Sequence, residues 1–304
     1  MLATTFKPTD LDRILQVAQL PALPQSAIRL LELSKDANNG PREYAEAIEA
    51  DPGLVSQVLR FVNSSYFGFS REISNIRHGI TLVGVKTIKN FALWNAVFTL
   101  LPHPRCGPFD LRTMRQDSLR RALFARLLAK HLRAKDPEDA FSAALLQDMA
   151  IPLLAKEIPE AYAELLAGRH EGRTRLSQLE KLALGWTHSQ AGGRIARKWN
   201  LPEQFATLIE LHTQIDEIAS AKEPTPEAFA VALSALLPPV GDRTWWEWSA
   251  FQRHYHAHEE ADVPPPEEIL AEVDRQFADL APTLKLSIPA ESLVDWLKAA
   301  RQNE

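Results

Sequence analysis

The chain has 304 residues, 45% of them hydrophobic and 24% charged, a balance that supports one or two packed cores and excludes disorder as the default state. No run of about eighteen apolar residues occurs, and the opening MLATTFKPTD has neither a basic nor an apolar leader region, so no membrane span or signal peptide is expected and the predicted location is cytoplasmic. A formal net charge of −5 argues against general binding to nucleic acid or anionic membranes, and the single cysteine, Cys106, leaves no internal disulfide to form.

In chain order, nearly every segment predicts a helix with nameable ends. In DPGLVSQVLRFVNSS, Asp51 is placed as N-cap with Pro52 at the first helical position, and Leu54, Val55, Val58, Leu59 and Val62 share a face. SNIRHGITLVGVKTIKNFALWNAVFTLL reads as a helix, a turn at Gly84 and a second helix. The proline-rich LPHPRCGPFD near 101 to 110 is a break, expected to separate an N-terminal helical bundle, to about residue 105, from a second one, and Cys106 there reads as a loop residue of no special chemistry. Residues 112 to 135 form a basic helix whose one acid is Asp117. DPEDAFSAALLQDM has Asp136 and Pro137 as cap and first position, THSQAGGRIARKWN ends at Asn200, and LPEQFATLIELHT starts at Pro202.

Two clusters follow. Trp245, Trp246 and Trp248 cannot all face inward on one helix; they cap a pocket, line a partner surface, or pack beneath the acidic C-terminal helix. His254, His256 and His258 splay around a helix rather than share a face, so a solvated segment is expected in preference to a metal site. VPPPEE then precedes an amphipathic helix, ILAEVDRQFADL, within an acidic stretch that includes Glu259, Glu260 and Asp262 and that is expected to face the basic helix or solvent. The pattern as a whole predicts an all-α, multi-helix bundle.

Four ionisable side chains stand on apolar helix faces. Asp148 follows Phe141, Ala144 and Leu145; His188 leads Ile195 and Trp199; His212 follows Phe205, Leu208 and Ile209; Asp117 leads Phe124 and Leu128. Inward-pointing polar groups from four helices are the minimum for a metal or phosphate pocket. Taken singly, each is also what a core polar group with a protein partner looks like.

Three stretches, LPALPQSAIRLLELSKD (20 to 36), IEADPGLVSQVLRFVNSSYFG (48 to 68) and ISNIRHGITLVGVKTIKN (73 to 90), make the chain resemble the HDOD family, the HD-related output domains of bacterial signalling proteins. The likeness continues more loosely through LLQDMA, LGWTHSQAGGRIARKWNLPEQF and LIELHT. It implies an HD-related architecture over residues 13 to 280, with an N-terminal extension (1 to 12) and a C-terminal helical extension (281 to 304), acting as a signalling output without catalysis.

HD enzymes hold a divalent metal through a histidine, a His-Asp pair and a later aspartate. By resemblance, Asp117 stands at the first place, Gln147 and Asp148 at the pair, and Ser234 at the last, while His188 and His212 match histidines that some HD subfamilies add for a second metal. Gln147 is a neutral amide and a poor transition-metal ligand. No catalytic residue, resident metal or cofactor is therefore expected, and the pocket of Asp117, Gln147, Asp148, His188 and His212 reads as a relic. The implied partner is a protein of a signalling pathway. The alternatives are a nucleotide or other anion in that pocket, with Arg120 and Arg121 as contacts, and a residual metal-dependent phosphohydrolase.

Overall fold

The computed structural model describes residues 11–18, 20–36, 38–257 and 263–302. All regular structure among them is α-helical, with no strand, as the sequence predicts. No helix among the described residues is long and apolar enough to cross a membrane.

The first helices are α1 (Leu11–Val17), α2 (Gln25–Leu33), α3 (Pro41–Glu49), α4 (Pro52–Val62), α5 (Ile76–Val83) and α6 (Val85–Leu100). Asp51 caps α4 by accepting the Leu54 N–H at 3.1 Å, and its other oxygen accepts the Ser26 hydroxyl at 3.0 Å, which ties α4 to α2. Asn63 closes the turn after α4, its amide accepting the Ile73 N–H at 2.7 Å and donating to the Ile73 carbonyl at 2.8 Å. Gly84, at φ 96°, separates α5 from α6 in a conformation that strains any residue with a side chain. Phe61 stacks on Phe91 with ring centroids 4.0 Å apart. Both rings are buried, each worth about 1.5–3 kcal/mol of apolar transfer.

The later helices are α7 (Leu111–His131), α8 (Pro137–Leu146), α9 (Ala150–Glu157), α10 (Pro159–Gly168), α11 (Leu176–Leu184), α12 (His188–Lys198), α13 (Glu203–Leu211), α14 (Ile215–Ser220), α15 (Pro226–Ser234), α16 (Trp248–His256), α17 (Pro266–Leu280) and α18 (Leu293–Gln302). Asp110 caps α7 by accepting two backbone N–H groups. That helix is central: it packs on α8, α15 and α17, and Ala122, Leu123, Phe124 and Ala125 are wholly buried in consecutive order, which is possible only for a helix covered on all sides. Asp136 sits at the N-cap position of α8 but makes no cap hydrogen bond; its carboxylate pairs with Lys86 on α6 instead. Asn200 follows α12 at φ 55°, and the Leu201 N–H returns to the Ala196 carbonyl at 3.0 Å, which closes that helix as its sequence indicates.

The basic and acidic segments face each other inside the molecule. Arg120 of α7 lies 3.9 Å from Asp274 of α17 and donates to the Glu291 carbonyl at 2.6 Å. Asp274 in turn accepts the N–H groups of Leu293 and Val294 at 3.0 and 3.2 Å and so anchors the start of α18. Glu259, Glu260 and Asp262 fall outside the described residues.

Arg126 joins the two ends of the chain. Buried on α7, it donates to the Tyr66 hydroxyl and, at 2.9 Å, to Gln276 of α17, and its guanidinium lies 4.9 Å from the Phe141 ring centroid on α8. Cys106 lies in the connection between α6 and α7 yet is buried, its thiol 3.3 Å from the Pro159 carbonyl. It is a packing residue of that connection.

Candidate functional site

The helix predicted to run through Met149 stops at Leu146, and Asp148 occupies the tight corner between α8 and α9. His188 is the first residue of α12. Thr187 caps that helix, accepting the Gln190 N–H at 3.3 Å while the Gln190 side chain accepts the Thr187 N–H at 3.0 Å. His212 directly follows α13. Gly192 and Gly193 let α12 and α13 meet: a Cβ on Gly192 would lie 2.8 Å from the Ile209 Cγ2 methyl, and one on Gly193 2.7 Å from Glu210 Cβ. The close crossing that puts the two imidazoles together is thus written in the AGG of α12.

Asp148, His188 and His212 converge, all three buried. The two Nε2 atoms are 3.2 Å apart, and Asp148 Oδ1 lies 3.4 Å from His188 Nε2 and 3.5 Å from His212 Nε2. Each Nδ1 faces an acceptor: His188 Nδ1 is 2.7 Å from Glu180 Oε2, and His212 Nδ1 is 2.7 Å from the Ile209 carbonyl. Both Nδ1 atoms therefore carry hydrogen, and both Nε2 atoms are turned toward the carboxylate.

Charge follows from these neighbours. Burial pulls the His188 pKa down, but the Glu180 and Asp148 carboxylates outweigh it and raise it to about 9. His212, without a second carboxylate, is lowered by burial. Burial disfavours the Asp148 carboxylate, yet Arg121 and the two imidazoles hold it well below the usual range. Arg121 donates to Asp148 Oδ2, so a protein cation sits on that carboxylate.

The other expected site residues divide. Asp117 faces the same cavity, accepts the Val240 N–H at 2.8 Å, and is pushed up to about 6 by burial, against Arg121. Gln147 is wholly buried and neither amide atom has a hydrogen-bond partner among the described residues. It does not line the cavity. Arg120 is a correction: one residue before Arg121, it points to the C-terminal segment and does not reach the cavity. Ser234 is buried and donates to the Val231 carbonyl at 2.6 Å.

Glu180 and Tyr162 complete the site and are not among the residues expected from the sequence. Glu180 is fully buried, accepts the His188 backbone N–H at 2.7 Å as well as its ring N–H, and is hydrogen-bonded by the Tyr162 hydroxyl. Its signal was present: Leu176, Glu180 and Leu184 recur every four residues, so an acid stands on an apolar stripe.

Above this floor opens a cavity of about 830 Å³. Its exposed lining residues, which form the mouth, lie mainly on two loops, with Glu171 and Arg173 between α10 and α11 and Gly241, Arg243 and Trp246 between α15 and α16, and are joined by Pro108 and Asp110 before α7. Three ion pairs join the two loops: Arg169 with Asp242 at 2.8 Å, Arg175 with Glu247 at 3.1 Å, and Arg243 with Glu171 at 3.3 Å. Trp245 and Trp248 pack inward against Phe251, while Trp246 lies at the mouth, 44% exposed, with Arg173 4.8 Å from its ring centroid. The histidine cluster differs from the solvated segment expected. His254 is buried on α16 with Nε2 2.9 Å from Asp216, His256 is exposed, and His258 lies outside the described residues.

An all-helical protein with a buried carboxylate and two facing imidazoles beneath a loop-lined cavity is what the fold and the site define. The HDOD domain model matches residues 20–215, well over half of the chain, and the chain belongs to that family, which is related to the HD phosphohydrolases. It is 23% identical over 225 residues to an uncharacterized protein of Treponema pallidum (strain Nichols), matching 73% of this chain and 42% of that one, so it spans under half of that relative. Among solved structures, an HDOD domain protein with unknown function from Geobacter sulfurreducens matches with a TM-score of 0.70 at 20% identity, covering 90% of this chain and 96% of the other. A candidate signal transduction protein from Marinobacter aquaeolei VT8 also gives 0.70, at 19% identity, over 89% of this chain and 61% of its own. At these identities the likeness is one of fold.

Proposed function

We propose that this protein is a non-catalytic signal-transduction output module that passes its signal to a protein partner, with an HD-like pocket that has lost its hydrolytic chemistry. The observation that carries the reading is the pairing of Arg121 with Asp148: the carboxylate that would serve a catalytic metal is neutralised by a side chain of the protein itself. Gln147 supports it, because a buried amide facing no cavity offers neither a ligand nor a base. The family and the signalling description of the Marinobacter protein are consistent with that role.

The test is turnover. Purified protein with magnesium, manganese or zinc is expected to leave cyclic dinucleotides, mononucleotides and p-nitrophenyl phosphate intact; metal-stimulated hydrolysis that disappears in Asp148→Ala would overturn the reading.

One observation favours a second reading, a resident divalent ion without turnover. Asp148, His188 and His212 each offer a donor atom within 4.8 Å of the others, and the acceptors on both Nδ1 atoms are the outer partners that orient metal-bound imidazoles. Three such donors suit one ion. Metal content after purification without chelator, compared between wild type and His212→Ala, decides between them.

A further inference from the structure

We infer that the mouth of the cavity binds a flat aromatic anion, its ring layered against Trp246 and its anionic group held by Arg173. This goes beyond the signalling reading and does not depend on it.

The charges around the cavity locate the anion. Five arginines line it, and four are already matched: Arg121 by Asp148, Arg169 by Asp242, Arg175 by Glu247 and Arg243 by Glu171. Arg173 makes no ion pair among the described residues; its guanidinium lies over Trp246. An arginine stacked on an indole keeps its N–H edge free, and that edge fits the two oxygens of a carboxylate or phosphate. Deeper in, Arg121 is already committed to Asp148, and His188 lies between Glu180 and Asp148. The acidic group of a ligand therefore stays at the mouth, where Arg173 is unmatched among the described residues.

The loop is shaped to hold this pair. His170, Glu171 and Gly172 are all left-handed, at φ 46°, 58° and 101°. A Cβ at Gly172 would come within 2.4 Å of Asp242 Oδ2 and 3.1 Å of Trp246 Cδ1, so only glycine lets the chain pass close enough to lay Arg173 on the indole. Trp246 is also the only one of Trp245, Trp246 and Trp248 left largely exposed, and its neighbours at 245 and 248 are buried in the aromatic cluster with Phe251. A cavity of about 830 Å³ has room for a small ligand.

Two sources share this chemistry, a nucleoside phosphate and an aromatic carboxylate, and the experiment separates them. Isothermal titration of the full chain in EDTA, which removes metal-dependent turnover from the signal, uses adenosine 5′-monophosphate and 2-naphthoate as probes, with adenosine and inorganic phosphate as half-ligands. At least one aromatic anion is expected to bind, each half-ligand at least about tenfold more weakly, and Arg173→Gln and Trp246→Leu each to weaken binding at least about tenfold. Both side chains are substantially exposed, and unchanged thermal unfolding verifies that the variants are folded. Absence of heat with both aromatic anions, or binding undiminished in both variants, overturns the inference. Because no turnover is read, its failure is separate from any failure of the signalling reading.

Discussion

His188 and His212 face each other through their Nε2 atoms at 3.2 Å, each with its Nδ1 proton committed to an acceptor on the far side. Two lone pairs at that distance repel, so one Nε2 must carry hydrogen. His188 is the one, since Glu180 and Asp148 flank it and raise its pKa to about 9. A single proton on His188 then serves both His212 Nε2 and Asp148 Oδ1. Three helices and a corner meet at this point.

Stability should depend on pH through His188. The folded pKa of His188 is about 9, above the unfolded value near 6.5. Its contribution to stability is therefore complete below pH 6.5 and lost as pH rises through about 9. The shift corresponds to about 3 kcal/mol. Denaturant midpoints of the wild type should fall between pH 6.5 and 9.5, and those of His188→Gln should fall much less. Parallel profiles would mean that His188 is neutral in the fold.

Glu180 should matter as much as the histidine. Glu180→Ala removes the acceptor of two His188 N–H groups and of the Tyr162 hydroxyl, all buried. Leaving a buried partner uncompensated costs roughly 3–5 kcal/mol, read as a lowered urea midpoint. A loss under about 1 kcal/mol would show that His188 finds another partner.

Gly192→Ala tests the crossing of α12 and α13. The added methyl would meet Ile209 Cγ2 at 2.8 Å, and such overpacking costs roughly 1–3 kcal/mol. It should also separate His188 from His212, so the histidine titrations followed by NMR should move together with stability. Unchanged titrations would place the spacing of the imidazoles under other control.

At the far end, Asp51→Ala removes the Leu54 cap and the Ser26 hydrogen bond. A cap contributes about 1 kcal/mol, and Asp51→Asn, which keeps an acceptor, should recover most of it. Equal unfolding midpoints for wild type and Asp51→Ala would contradict the cap.

The helices and the floor of the site were readable because both leave a periodic trace. An ionisable residue on an apolar stripe stands out, and Asp148, His188 and His212 do meet. What one helix cannot reveal is which of two adjacent residues its neighbours will draw in. Arg120 and Arg121 lie about 100° apart around α7, and only the positions of α17 and the α8–α9 corner send the first to Glu291 and the second to Asp148. Asp136 shows the same limit: its sequence context indicates a cap, but Lys86, 50 residues away in the chain, takes the carboxylate. The mouth was least legible, because its ion pairs join segments some 70 residues apart that have no shared pattern.

Arg126 carries a consequence for how this sequence can drift. Its guanidinium touches Tyr66 before the connection at 101–110, Phe141 in the middle and Gln276 near the end. A lysine there would supply one point of charge to partners that need a planar fork. Substitutions at these positions are thus bound to one another: a neutral change at residue 66 becomes harmful or tolerable according to what stands at 126 and 276. Grafting the first hundred residues of a distant relative onto this chain should fail unless these positions are exchanged as a set, although they are scattered across three separate stretches of the gene.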